Sequence, residues 1–175
     1  MTDDFAILGI DPGALGAFAF LWPARARLVV FDMPMYETTK TKTRRFVEDS
    51  DVTLLIESYP LAHAFIEDVH ARPDDGAVSA FNFGQRYGTV LGVLAGKKIP
   101  RDKVAPNVWK KSMRAPADKK QSVARAKELF PACAALFNGP RGGLKDGRAE
   151  AAMIALYGAL SLGHRLTASV QLLED

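Results

Sequence analysis

A chain of 175 residues, 48% hydrophobic and 25% charged, has the profile of one ordinary globular α/β domain with enough apolar content for a sizeable core. Its formal net charge of +3 is too mild to name a partner by itself. A single cysteine, Cys133, excludes an intrachain disulfide and fits a reducing compartment.

The acidic start Met1-Thr2-Asp3-Asp4 lacks the pattern of an export or transit signal, and no run is apolar enough to cross a bilayer. The expectation is a cytoplasmic, single-domain protein over residues 1–175 with no membrane partner. Phe5 to Asp11 is apolar, β-compatible and ends in an acid, and Pro12-Gly13 signals a turn. Gly16 to Trp22 and Leu28 to Met33 read as two further strands, joined closely enough to be antiparallel hairpins. Thr38 to Asp49 is predicted to be a polar, exposed helix. Val52 to Glu57 is a continuous apolar run ending in an acid, the pattern of a buried central strand.

Ser58 to Val78 carries Pro60, Pro73, Asp74, Asp75 and Gly76, and reads as loop. Ala80 to Ala95 reads as a helix with Gly84, Gly88 and Gly92 on one smooth face, suited either to a dimer seam or to close packing on the protein's own sheet. Lys103 to Ala105 is a short strand, and Pro106 opens a helix carrying Trp109, Lys110 and Lys111. Asp118 to Phe130 is an amphipathic helix, Pro131 to Leu144 a loop, and Asp146 to Leu162 a final helix. A hairpin-connected triplet followed by crossover connections predicts a mixed sheet with helices on both faces.

Two predicted strands end in acids, Asp11 and Glu57. If those strands are adjacent and parallel, both carboxylates emerge at the edge where α/β sheets bind ligands. Asp146 and Glu150 stand four residues apart, on one face of the last helix. Read singly, such a pair is an ordinary solvated helix face. Read with the strand-terminal acids, it forms a four-carboxylate cluster that needs hard divalent cations, Mg²⁺ or alternatively Mn²⁺. Two such ions can clamp the attacking and leaving oxygens of a phosphodiester.

The motif Gly9-Ile10-Asp11-Pro12-Gly13 with Gly16-Ala17 resembles the first motif of the RuvC-like Holliday junction resolvases. Ile56-Glu57 resembles their second, and Asp146-Gly147-Arg148-Ala149-Glu150 their C-terminal helix motif. Phe83-Gly84-Gln85 with Gly88, and Val104-Ala105-Pro106 with Trp109-Lys110, are similar to further segments of that family, the latter to its chloroplast-resolvase-like branch. The resemblance spans about Ala6 to Leu160. It departs from RuvC proper in the four-residue spacing of the last two acids. It implies an RNase H-like α/β fold with a mixed five-stranded sheet of order 3-2-1-4-5, strand 2 antiparallel. It also implies a homodimer and symmetric cleavage of four-way junction DNA, leaving 5′-phosphate and 3′-hydroxyl ends. Asp11, Glu57, Asp146 and Glu150 would then be the catalytic, metal-holding residues.

Lys97 to Lys127 is dense in lysine and arginine, including Lys110, Lys111, Arg114, Lys119 and Lys120. These, with Arg148, are the candidate phosphate contacts, against the plainer reading of solvated helix charge. Tyr59 and Phe65, in the predicted loop, are candidate wedges for unpaired bases, against the plainer reading of packed residues. A nuclease for flaps or RNA–DNA hybrids, a junction-binding protein that does not cut, and an actin-like ATPase are the competing readings. The ATPase is disfavoured because its phosphate loops need a second domain.

Overall fold

A computed structural model describes residues 5–38, 44–70 and 76–164. β1 (Ala6–Asp11), β2 (Ala17–Trp22) and β3 (Arg27–Asp32) form the expected antiparallel meander. A small hairpin follows, of β4 (Met35–Thr38) and β5 (Arg44–Val47). Then come α1 (Asp49–Glu57), β6 (Leu61–Glu67), α2 (Ala77–Gly96) and β7 (Arg101–Val104). The chain closes with α3 (Pro106–Met113), α4 (Lys119–Leu129), a 3-10 segment Pro131–Phe137 and α5 (Asp146–Ser161). The main sheet has five strands in the order β3-β2-β1-β6-β7, with β2 antiparallel to both its neighbours and β6 and β7 parallel to β1. With the small hairpin set aside, this is the predicted order 3-2-1-4-5.

Three predicted elements are corrected. Val52–Glu57 is the body of helix α1, not a strand. Asp49 and Asp51 sit in its first turn, and Val52 and Ile56, four residues apart, form its buried face. The central parallel strand is instead β6, within the stretch read as loop. Pro60 precedes it and leaves its carbonyl free to accept the Ala6 N–H at 2.8 Å. The predicted helix Thr38–Asp49 is represented by strand β5 and the start of α1, while residues 39–43 lie outside the described residues.

The sheet is buried on both faces, and side-chain alternation sorts two cores. Ala6, Leu8 and Ile10 of β1 join Phe18, Phe20, Val52, Ile56, Val90 and Leu94 on the α1–α2 side. Ile7, Ala17, Ala19 and Phe65 face the side built by α3, α4 and α5. α5 lies directly over β1: a Cβ on Gly9 would fall 2.2 Å from the Ala151 carbonyl oxygen and 2.3 Å from the Ala155 nitrogen. The same closeness recurs at both ends of the helix, where Gly147 meets the Leu15 carbonyl and Gly158 the Phe65 ring. Gly9→Ala must therefore separate two backbones. It is expected to lower stability by about 2–3 kcal/mol, read as a reduced urea midpoint with an unchanged m-value.

Candidate functional site

β1 and β6 run in register, with Ile10 paired to Ile66, so the next residues, Asp11 and Glu67, end neighbouring strands side by side. Two-residue periodicity puts them on the face that carries Gly9 and Phe65, the face covered by α5. α5 adds Asp146 and Glu150 from its first two turns. A cleft is lined jointly by Asp11, Gly13, Lys110, Lys119, Asp146 and Glu150. Three of the four predicted acids thus converge.

Glu57 does not join them. It ends α1 at the opposite edge of the sheet, paired with Lys97, and the seven-residue length of β6 separates that edge from Asp11 by about 20 Å. Its place beside Asp11 is taken by Glu67, which the sequence reading passed over. The available signal was the Ile66-Glu67 dipeptide, the same pair as Ile56-Glu57, at the end of an apolar run. The helix-start acids Asp49 and Asp51 and the break at Pro60 distinguish the two.

Each acid has a defined electrostatic setting. Asp11 Oδ1 accepts the Gly13 N–H at 2.9 Å. Its carboxyl is nevertheless pushed up to about 7, by burial first and then by Glu150, Glu67 and Asp146, against the lowering effect of the Gly13 N–H. Glu67, 7% exposed, accepts the indole N–H of fully buried Trp109 at 3.0 Å. Burial raises its pKa, the Trp109 hydrogen bond opposes, Glu150 adds to the rise, and Lys110 counters it. Lys110 pairs with Glu150 at 3.0 Å, and Lys119 pairs with Asp146.

Among the described residues, no three His, Cys, Asp or Glu side chains stand together as a ready metal cage. Two lysines hold two of the acids instead. The donor set still matches a hard divalent cation, being all carboxylate oxygen around one buried acid. A cation entering here would take over the charge that Lys110 and Lys119 now supply.

The remaining predicted contacts divide. Lys111, Arg114 and Lys120 are exposed on the α3–α4 segment that carries Lys110 and Lys119. Arg148 is not a free phosphate contact: its Nε and Nη2 donate to Asp32 at 2.6 and 2.9 Å, and Lys145 joins at 2.8 Å. The Arg148 hydrogen bonds hold the Asp32 carboxyl below its ordinary range; burial opposes them, and the Lys145 hydrogen bond and the two positive charges add to the lowering. This clamp ties the start of α5 to the end of β3. Tyr59 and Phe65 are not exposed wedges. Tyr59 packs edge-on against Phe20 and Trp22, and Phe65 is a core residue of β6. His63 pairs with Asp102 at 3.0 Å, and His70 approaches Asp68 at 3.8 Å.

No protein-family model matches the chain, and no curated protein matches it. Solved structures do. T. thermophilus RuvC in complex with Holliday junction substrate superposes with a TM-score of 0.61 at 17% identity, over 91% of this chain and 95% of that one. Thermus thermophilus RuvC gives 0.52 at 14%, over 91% and 98%. The yeast mitochondrial Holliday junction resolvase Ydc2 gives 0.55 at 18%, over 88% and 77%. The chain has the RuvC fold, an RNase H-like mixed sheet, as its motifs implied.

The raised Asp11 carboxyl makes a stability prediction. Between its ordinary value of 3.8 and about 7, the folded protein keeps a proton that the unfolded chain has lost, so this group's contribution to stability falls as pH rises through that window. Asp11→Asn removes the penalty. In EDTA it is expected to be about 2–4 kcal/mol more stable than wild type at pH 8, the gap closing below about pH 4. Mg²⁺ should raise the melting temperature of wild type and not that of the variant. Chemical denaturation across pH and thermal melting with Mg²⁺ check both.

Proposed function

We propose that this chain is a metal-dependent endonuclease that resolves four-way DNA junctions. The observation that carries the reading is the pairing of Asp11 and Glu67 at adjacent parallel strand ends, faced by Asp146 and Glu150 from α5, within a fold shared with junction resolvases. Asp11, Glu67, Asp146 and Glu150 would hold Mg²⁺ or Mn²⁺, two ions in the full site. Bound there, the ions supply Lewis acidity and charge neutralisation for in-line hydrolysis, leaving 5′-phosphate and 3′-hydroxyl ends.

The chain's own residues prepare that step. Trp109 fixes the Glu67 carboxylate in one orientation through its indole N–H. The Asp32 clamp on Lys145 and Arg148 fixes the first turn of α5, and with it the direction of Asp146. Lys110 and Lys119, once released from Glu150 and Asp146, present ammonium groups to the phosphates on either side of the cleft. Lys111, Arg114 and Lys120 extend this positive charge along the α3–α4 segment.

A second copy of the chain fits the reading. A Cβ added at Gly84, Gly88 or Gly92 of α2 would meet nothing within 4 Å among the described residues, so their face is not packed on the protein's own sheet. Val78 and Phe81, at the start of the same helix, are each 71% exposed. An isologous homodimer through α2 would present two sites to opposing strands of a junction with near two-fold symmetry.

Incubated with Mg²⁺ and a synthetic four-way junction, the wild type is expected to give paired nicks. Glu67→Gln should cut at least about a hundredfold more slowly, the loss of several kcal/mol of transition-state stabilisation. Glu57→Gln should cut at the wild-type rate. Equal rates for wild type and Glu67→Gln would remove the assigned site. Faster cutting of flaps or of an RNA–DNA hybrid would move the substrate, and junction binding without cleavage under any divalent metal would leave only a binding role.

A further inference from the structure

Beside the acidic cluster, on its α2 side, lies a cleft of about 310 Å³ lined by Asp11, Glu67, His70, Ser79, Phe83 and Arg86, among others. Arg86 is the unusual member. It is 8% exposed, and its buried Nε makes no hydrogen bond. Its guanidinium lies over the Phe83 ring at 5.9 Å from the centroid. Asp11 is close enough to act on it electrostatically, yet the Asp11 carboxylate takes its hydrogen bond from Gly13.

A buried guanidinium N–H with no acceptor costs about 1–3 kcal/mol, and an apolar side chain of similar length would fill the space without that cost. Such an arrangement is sustained when a ligand completes it. A guanidinium offers parallel N–H donors, which match the two non-bridging oxygens of a phosphodiester. Ser79, Phe83 and Arg86 are spaced i, i+4, i+7 and share one face of α2. Helical side chains lean toward their helix N-terminus, so Arg86 leans toward Ser79 and the first turn. That turn begins at Gly76, which supplies no side-chain cap, so its N–H groups add positive potential.

We propose that Arg86 is a phosphate anchor, receiving one backbone phosphodiester of the DNA in this cleft next to the four acids. The proposal rests on the nuclease reading and adds a subsite to it. Arg86 binds and places the strand; the acids and their cations act on the neighbouring linkage.

The test compares wild type, Arg86→Met and Arg86→Lys as full chains. Melting is followed in EDTA with and without inorganic phosphate, junction binding is followed by anisotropy over a salt series, and cleavage is followed with Mg²⁺. Arg86→Met should melt at or above the wild-type temperature, since a buried unpaired charge is gone. It should lose the rise that phosphate gives wild type. Its junction affinity should fall about tenfold or more, its salt slope should shrink by about one, and KM should rise more than kcat falls. Arg86→Lys should recover part of the affinity.

Wild-type binding, cleavage and salt slope in Arg86→Met would overturn the proposal. So would a fall in its melting temperature that Arg86→Lys reverses with no phosphate effect in any chain, which marks a structural residue. A phosphate response with unchanged junction affinity would make this a free-phosphate site and overturn the DNA assignment. If wild type neither binds nor cuts junctions, the nuclease reading fails first. The phosphate melting arm then still decides whether Arg86 holds an anion.

Discussion

The contact on which this architecture depends is backbone against backbone, where α5 crosses β1 at Gly9. Strand and helix approach so closely there because Gly9 presents no side chain and Ala151 and Ala155 present only methyl groups. Gly147 and Gly158 extend the same approach along the helix. Carboxylates offered from a strand end and from a helix meet only when the two elements lie this close. Apolar burial and acid convergence are therefore one feature: the residues that let α5 settle on the sheet also bring Asp146 and Glu150 to Asp11 and Glu67.

Like charges resist this convergence, and the surrounding side chains answer it in different ways. Asp11 answers with a carboxyl raised to about 7, chiefly by burial. Glu67 takes a neutral donor, the Trp109 indole, from the helix beneath it. Glu150 and Asp146, nearer solvent, take Lys110 and Lys119. The two strand-end acids thus meet burial with a raised pKa and a neutral donor, and the two helix acids nearer solvent take lysines, as the rising cost of an uncompensated charge with burial requires. Asp32 belongs to a different system. Its pairing with Lys145 and Arg148 leaves it no surplus charge to offer and makes it a fastening for α5.

Much of the architecture was legible because β1, β2, β3 and α5 carry unambiguous local patterns: apolar runs, short turns, and a long small-residue helix. Asp11, Asp146 and Glu150 were legible for the same reason. The second strand-end acid was misassigned because Val52–Glu57 and Leu61–Glu67 both end in Ile-Glu and both are short and apolar. A run of that length satisfies a buried strand and one face of a helix alike, and the sheet partner that settles the matter, β1, is distant in sequence. Tyr59 and Phe65 were misjudged by inheritance from that error: within a loop they would be exposed, whereas Phe65 within β6 is buried and Tyr59 just before it is half-buried against the core. The roles of Arg86 and Arg148 depend on what lies opposite them in space, about which one-dimensional spacing is silent.

The lysine pairs at the mouth of the acidic cleft carry a consequence for how a polyanion is met. Glu150 pairs with Lys110 and Asp146 with Lys119, while Glu67 shares the adjoining cleft with Arg86. In the proposed role, a strand of nucleic acid drawn toward the basic α3–α4 segment would meet acids that already have cationic neighbours, not a bare wall of negative potential. Docking and ion loading would then need no fixed sequence, because each lysine that leaves an acid for the strand would vacate a place that a divalent ion can fill.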